Sequence, residues 1–435
     1  MSTSRPTPLL TAFGHGVAKT ASQPAVAGET SERVVKVLAC LLVMALCIED
    51  RLATIDSVEV TCVNIVVIPL ILFVFIRAVF KGFHPLPRKI VFPLGLFFLA
   101  TLASAVMAVD KLRAAAAIVQ MFELVGVMWS VALITSAKRY LSILHFMLLV
   151  FVFQTVLAML QFVLDLGIPS GTFIAPMTFG MMMGAGASVA FGLFASEKSG
   201  RRWIYFLTMV VLLGGLALSL KRGPWLAFGI AAIAVIFFAG EHRKFLITGL
   251  LCTVALTVTL VALVPDVRDA AIARLDGSDT DDQHDTVAGR FAIWGVCLQL
   301  FVQHPILGVG PKNFETYAPS FLTYEETGLR RIESHNVYVG ILAEGGLIGF
   351  FTYLYVCYAI VALGIRNFRD PSFASLRPLT LAYIAYQFYW LAMLYGYFIK
   401  VHGHLHFTVI GLMLGVQRGI EQAGRNRAPA LSPQG

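Results

Sequence analysis

The chain has 435 residues, of which 58% are hydrophobic and 13% are charged, and its formal net charge is +8. Soluble globular domains carry a charge on about 25% of their residues. The composition therefore excludes an ordinary soluble protein and indicates one that uses lipid as its solvent. The positive balance is typical of loops on one membrane face, so it does not argue for nucleic acid as a partner.

The apolar runs are continuous and of helical length, which favours membrane-spanning helices over the alternating strands of a barrel. We therefore predict an all-α polytopic membrane protein with about twelve transmembrane helices. Residues 1–33 are predicted to be a disordered cytoplasmic tail because they are polar and rich in Ser, Thr, Ala and Pro. The predicted spans are 34–48, 57–79, 90–109, 114–135, 141–164, 173–195, 203–220, 224–239, 245–264, 336–364, 378–396 and 402–417.

These spans divide the chain into a nine-span part at 34–264 and a three-span part at 336–417, followed by a second cytoplasmic tail at 418–435. Residues 265–335 form one large loop, which we predict to contain short helices on the membrane surface. Lysine and arginine cluster in alternate short loops, for example at Lys198 and Arg201. By the positive-inside rule those loops and both termini are cytoplasmic, and the large loop lies on the opposite face.

Several positive charges then stand on the translocated side, against the topological bias. Lys221 and Arg222 lie in a tight outer turn, and Arg290 lies in the large loop, which ends at His335-Asn336. Arginine binds phosphate oxygens in pairs, and a neutral histidine can take a proton from a hydroxyl. This set suits a lipid-borne pyrophosphate leaving group and an attacking hydroxyl. The alternative is that the arginines anchor lipid headgroups and His335 caps the tenth span.

Other polar residues within the spans leave two interpretations open. Glu123, Gln154 and Gln161 fit either contacts inside the helix bundle or the lining of a headgroup cavity. His402, His404 and His406 fit polar residues at the membrane interface better than a metal site, because no carboxylate or cysteine is beside them in the sequence. The six cysteines have no metal-ligand spacing, so no metal site is predicted.

Three segments of the chain carry motifs similar to those of the O-antigen ligase and polymerase superfamily. The first is Gly289-Arg290 with Trp294, followed by the turn His304-Pro-Ile-Leu-Gly-Val-Gly-Pro-Lys-Asn-Phe314. The second is His335-Asn336 with Gly346 and Gly349, and the third is Arg222 with Leu226 four positions later. The pattern and the predicted topology most resemble an O-antigen ligase.

The resemblance implies a glycosyltransferase of lipopolysaccharide biosynthesis in the bacterial inner membrane, with its active site on the periplasmic face. Such an enzyme moves O-antigen polysaccharide from undecaprenyl pyrophosphate to the lipid A-core oligosaccharide. The reaction inverts the anomeric centre and needs neither metal nor cofactor. By the same resemblance His335 is the catalytic base, and Arg222 and Arg290 hold the donor pyrophosphate. We add Lys221 and Asn336 as neighbouring substrate-binding residues.

Two rivals belong to the same superfamily, and one to another class of protein. An O-antigen polymerase would be expected to have two sizeable outer loops, and a protein O-oligosaccharyltransferase a sizeable outer domain after the last spans. A secondary transporter with twelve helices would be expected to show internal repeats and broken helices at the midplane. The acceptor in a transfer assay separates the first two from a ligase, and substrate flux would identify the third.

Overall fold

A computed structural model describes residues 37–48, 51–55, 58–82, 86–135, 137–166, 169–240, 243–263, 265, 268–269, 287–322, 332–394 and 402–427. The predicted tail at 1–33 lies outside these residues, as does much of the large loop. The described chain is a bundle of helices, as predicted, with one short hairpin. In chain order the helices are α1 (37–45), α2 (Cys62–Lys81), α3 (Arg88–Ala105), α4 (Lys111–Ile134), α5 (Ala137–Val163), α6 (Pro176–Ser196), α7 (Arg202–Leu218), α8 (Arg222–Phe238), α9 (Arg243–Leu263), α10 (Val287–Gln303), α11 (Phe314–Tyr317), α12 (Val337–Arg369), α13 (Arg377–Met393) and α14 (His402–Arg427).

The hairpin is a small local feature that leaves the predicted all-α class unchanged. Strands β1 (Arg51–Ile55) and β2 (Val58–Thr61) pair antiparallel, with Ile55 opposite Val58. Alternating branched residues favour this pairing. The hairpin occupies the junction between the first two predicted spans, so α2 begins only at Cys62.

Within the described residues, six helices are long and apolar enough to cross a membrane, namely α2, α3, α4, α5, α6 and α12. Two more, α7 and α8, are apolar but shorter. These helices support the predicted multi-pass membrane protein. The number of twelve spans stays a prediction, because the six and two helices above are drawn from the described residues alone, and α1 is only two to three turns long.

Helix α6 forms the centre of the bundle. Every residue from Thr178 to Ala195 is buried, and a helix that is apolar all round belongs in such an interior position. Its glycines allow neighbours to approach closely: a Cβ at Gly184 would lie 2.5 Å from the Tyr389 hydroxyl, and one at Gly192 would lie 2.5 Å from the Ala382 Cα. Helices α7, α8 and α13 pack around it.

The segments that connect helices at the candidate site end of the bundle contact one another. Thr172, between α5 and α6, donates from its hydroxyl to the Cys47 carbonyl at the end of α1. Asp110, between α3 and α4, donates its backbone N–H to the Asn313 side chain of the large loop. Segments that the sequence assigned to the outer face thus contact one another in two places.

The C-terminal segment is more ordered than the sequence suggested. Helix α14 continues to Arg427, well into the predicted tail at 418–435. The Arg418 guanidinium donates to the Leu133 carbonyl at 2.6 Å, near the end of α4. This contact ties the start of the predicted tail to the bundle and lets the helix continue past its apolar part.

Candidate functional site

His335 lies in the turn that leads into α12, and its backbone is held in an unusual conformation. Its φ is 47°, in the left-handed region that residues other than glycine rarely adopt. Such a backbone persists only when the surrounding structure fixes it. Bonds on both sides do so: the Ser334 carbonyl accepts from the Trp294 indole N–H at 3.1 Å, and the Val337 N–H donates to the Leu394 carbonyl at 2.9 Å.

Asn336 starts α12 as its N-cap residue. Its side-chain oxygen accepts hydrogen bonds from the backbone N–H groups of Tyr338, at 3.0 Å, and Val339, at 3.3 Å. This satisfies two of the donors that a helix start leaves without a partner. The cap belongs to Asn336, and the sequence alternative that gave it to His335 is wrong.

Lys221 and Arg222 lie at the start of α8, which follows a second left-handed residue, Leu220 with φ 51°. The Ser219 hydroxyl donates to the Leu216 carbonyl at 2.7 Å and accepts from the Lys221 N–H at 3.4 Å, which links the end of α7 to the turn. Pro224 follows within the first turn of the helix, where its missing N–H costs little. Arg222 is exposed and Lys221 is half-buried, so this helix start presents positive charge at the surface.

The end of α13 contacts both the Arg222 turn and the His335 turn. A Cβ on Gly223 would lie 4.0 Å from the Met393 methyl group, so the start of α8 lies against the last residue of α13. The next residue, Leu394, accepts the hydrogen bond from Val337. Two turns far apart in the sequence therefore both contact the end of α13.

Helix α10 carries the third predicted residue, Arg290, which is half-buried. Trp294 lies one turn further along the same helix and makes the bond to Ser334. The buried side of α10 includes Ile293, Cys297 and Leu300, which form a small core with Ala343 of α12. The Arg290 helix is thus packed against the helix that begins just after His335.

The turn from His304 to Phe314 has a structural role that the motif did not reveal. Helix α12 breaks at Gly346, with φ 59° and ψ −161°. In an intact helix the Leu347 N–H would donate to the Ala343 carbonyl, and the Ile348 N–H to the Glu344 carbonyl. The break at Gly346 leaves these four groups without their helical partners.

The turn supplies a partner for each of these four groups. Val309 and Gly310 donate to the carbonyls of Ala343 and Glu344, each at 3.0 Å. Leu347 donates to the Pro305 carbonyl at 2.9 Å, and Ile348 to the Ile306 carbonyl at 3.3 Å. The two helical bonds that are lost are replaced by four to the turn. An added Cβ at Gly308 would collide with the Glu344 backbone, and one at Gly346 with the Ile306 backbone, so both close approaches require glycine.

Glu344 is a site residue that the sequence analysis missed. Its carboxylate accepts from the Phe314 N–H at 3.1 Å, and its carbonyl accepts from the Ser104 hydroxyl at 2.5 Å. It thereby joins α12, the large loop and α3. The signal available in the sequence was a single carboxylate in an apolar run, just before Gly345-Gly346.

A second set of bonds fastens the same loop to α4. The Asn313 amide donates to the Asp110 carbonyl at 3.2 Å, and its oxygen accepts from the Asp110 N–H at 2.8 Å. Arg113 forms an ion pair with Glu315 at 2.9 Å. These contacts hold the loop residues between α10 and α11 in place above the bundle.

The remaining predicted polar residues make contacts inside the bundle. Glu123 accepts from the Asn64 amide at 2.6 Å and pairs with His404 at 3.2 Å. Gln161 bonds to both backbone groups of Gly171, and Gln154 accepts from the Thr172 N–H. The interpretation of the histidines as interfacial is wrong for His404 and His406, which are buried. His406 stacks on Trp390 with ring centroids 4.7 Å apart, and the His402 side chain lies outside the described residues.

A small cavity of about 50 Å³ opens between α12, α13 and α14, beside the end of α13. Its walls are mainly apolar and include Tyr353, Leu391 and Leu394, with Gln387 and His406 as polar members. Leu394 also holds Val337, so the cavity borders the His335 turn.

Comparison with known proteins gives one family. Residues 207–354 match the family model described as O-antigen ligase. The matched segment contains Arg222, Arg290 and His335, together with the turn and the helix break that join them. No curated protein matches the chain.

Proposed function

We propose that this chain, which carries in residues 207–354 the match to the O-antigen ligase family, is an O-antigen ligase. The reaction transfers O-antigen polysaccharide from undecaprenyl pyrophosphate to the lipid A-core oligosaccharide. The observation that carries the proposal is the contact of both the Arg222 turn and the His335 turn with the end of α13. Helix α10 adds Arg290, because its Trp294 bonds to the residue before His335.

In the proposed mechanism Arg222 and Arg290 hold the donor pyrophosphate, and Lys221 adds a neighbouring charge. His335 takes the proton from an acceptor sugar hydroxyl. The resulting oxygen attacks the anomeric carbon on the face opposite the pyrophosphate, and the electron pair of the broken carbon–oxygen bond leaves on the pyrophosphate. The guanidinium groups offset the charge that develops there. The anomeric centre is inverted, and no step uses a metal or cofactor.

The apolar cavity beside the end of α13 supports the use of lipid-borne substrates. Its apolar walls lie beside the proposed charged headgroup site, where a lipid chain would have to pass. We propose that the site faces the periplasm and that both termini are cytoplasmic. The support is the two contacts between segments predicted to lie on the outer face, together with the alternation of loop charges.

The test is transfer by purified protein in lipid nanodiscs, with undecaprenyl-pyrophosphate-linked polysaccharide and lipid A-core as substrates. His335→Ala should bind the donor but lower the transfer rate by about 10²–10⁴-fold, the usual effect of losing a general base. Arg222→Ala and Arg290→Ala should raise the KM for the donor. Arg369→Ala is the matched control, because it removes an exposed arginine from the far end of α12.

The choice of acceptor separates the ligase from its rivals in the same superfamily. Transfer to lipid A-core supports the proposal. Growth of a lipid-linked polymer without that acceptor identifies a polymerase, and transfer to protein identifies an oligosaccharyltransferase. Normal ligation by both His335→Ala and Arg222→Ala would show that the mechanism is wrong.

A further inference from the structure

The backbone around His335 is fixed from two different helices. On the C-terminal side, Val337 is bonded to Leu394 at the end of α13, and Asn336 caps α12. On the N-terminal side, the Trp294 indole N–H is bonded to the Ser334 carbonyl. The Ser334 hydroxyl is buried and has no hydrogen-bond partner among the described residues. It therefore does not add a second bond to hold Ser334 in place beside the bond from Trp294.

The Trp294 ring is itself held in place. Phe291 packs edge-on against it with ring centroids 5.3 Å apart, and Trp294 borders the small core formed by Ile293 and Cys297. An indole N–H is a donor only, with a fixed direction in the ring plane. A ring held on a packed helix therefore defines where the Ser334 carbonyl lies, and the left-handed φ of His335 follows from the fixed positions on both sides of it.

We propose that Trp294 is a positioning residue for the catalytic histidine. Its N–H sets the peptide before His335, so that the imidazole is directed toward the donor held by Arg290, one turn earlier on the same helix. The same helix, α10, then binds the donor through Arg290 and orients the base through Trp294. This inference rests on the proposed function, because it assigns Trp294 a role in the step that His335 performs.

The experiment removes the N–H and keeps an aromatic ring, which in the second variant has the full size of the indole. Trp294→Phe, and a variant with the isosteric sulfur analogue benzothienylalanine at position 294, are compared with wild type in the nanodisc transfer assay. Loss of one hydrogen bond that orients the base should lower kcat by about 3- to 10-fold in both variants. The donor KM and the unfolding temperature should stay near the wild-type values. Trp203→Phe is the matched control, because Trp203 is exposed at the start of α7.

A double-mutant cycle identifies the partner through which Trp294 acts. Combined with His335→Ala, Trp294→Phe should cause no further loss of rate, whereas its effect should multiply with that of Arg290→Ala. A wild-type kcat in the benzothienylalanine variant, an effect confined to the donor KM, or independence from His335 would each overturn the inference. Absence of transfer by the wild-type protein, or full transfer by His335→Ala, would instead refute the proposed function.

Discussion

The parts of α12 before and after the break at Gly346 satisfy the hydrogen bonding of their backbone groups in different ways. Beyond the break at Gly346 the helix is apolar and exposes side chains such as Phe351 and Tyr358, 62% and 68% exposed, which suit contact with lipid. Its N-terminal half begins at the Asn336 cap and ends in carbonyls that bond to Val309 and Gly310. In hydrocarbon each backbone group needs a partner from protein, so an open helix end is tolerated only where another segment covers it.

This difference explains how a membrane helix can carry a surface site. A continuous α12 would have no open groups to hold the loop, and the loop would contact it through side chains alone. The break supplies two acceptors and two donors, and the His304–Phe314 turn uses all four. The short N-terminal half is thereby fixed to α10 and to the loop, and it is the half that follows His335.

The largest effect is expected where the break itself is removed. Gly346→Ala places a Cβ against the Ile306 backbone, in a conformation that is essentially restricted to glycine. We expect the free energy of unfolding to fall by more than about 3 kcal/mol, with loss of transfer. Thermal unfolding in detergent micelles measures the first, and the nanodisc assay measures the second.

Gly349 is the internal control, because it belongs to the same sequence pattern. An alanine Cβ there would meet only Ile341 atoms, at 3.9 Å or more, with an ordinary helical backbone. Gly349→Ala should therefore change stability by less than about 1 kcal/mol. Equal damage from both substitutions would show that the two glycines serve close helix packing and that the break is not the critical feature.

A smaller effect is expected when the turn is loosened and α12 is left intact. Gly308→Ala places a Cβ against the Glu344 backbone, and should detach the turn from the small core that contains Cys297. Burial raises the pKa of the Cys297 thiol, and the charge of Glu344 adds to that effect. A raised pKa leaves little thiolate at pH 8, so alkylation of Cys297 should be slow in the wild-type protein.

The measurement uses a variant in which the other five cysteines are replaced by alanine. Gly308→Ala in that background should expose the thiol and lower its pKa toward the ordinary value. The alkylation rate at pH 8 should then rise by about 10-fold for each unit by which the pKa falls. Gly295→Ala is the control on the same helix as Cys297, because its added Cβ would meet open space. Equal rates in the two variants would contradict docking of the turn.

The sequence was sufficient to predict the helical bundle, whereas the roles of the predicted site residues stay predictions. Arg222, Arg290 and His335 stood out because charge in an outer turn runs against the topological bias. The break at Gly346 could not be predicted, because a glycine in an apolar run is equally typical of close helix packing. Glu344 was missed for a related reason: its partners, Phe314 and Ser104, lie 30 and 240 positions away in the sequence.

Glu344 should contribute less than the glycines, because the loop keeps its backbone bonds without it. Glu344→Ala leaves the Phe314 N–H without its acceptor, which costs about 1–3 kcal/mol for a buried donor. Glu344→Gln keeps a side-chain oxygen and should cost less than about 1 kcal/mol. Micellar unfolding temperatures measure both. A glutamine variant as unstable as the alanine variant would show that the charge, and not the acceptor, holds the loop.

The smallest effect is expected at Asn336, where the measurement distinguishes helix capping from substrate binding. As an N-cap it contributes about 1 kcal/mol, and serine fulfils the same role. If capping is its whole function, Asn336→Ala should lower stability by that amount, while Asn336→Ser should match wild type in unfolding temperature and in donor KM. If the amide also binds substrate, Asn336→Ser should keep its stability but raise the KM. Because the cap oxygen already accepts from Tyr338 and Val339, we expect the first result, with His335 and not its neighbour carrying the chemistry of this helix start.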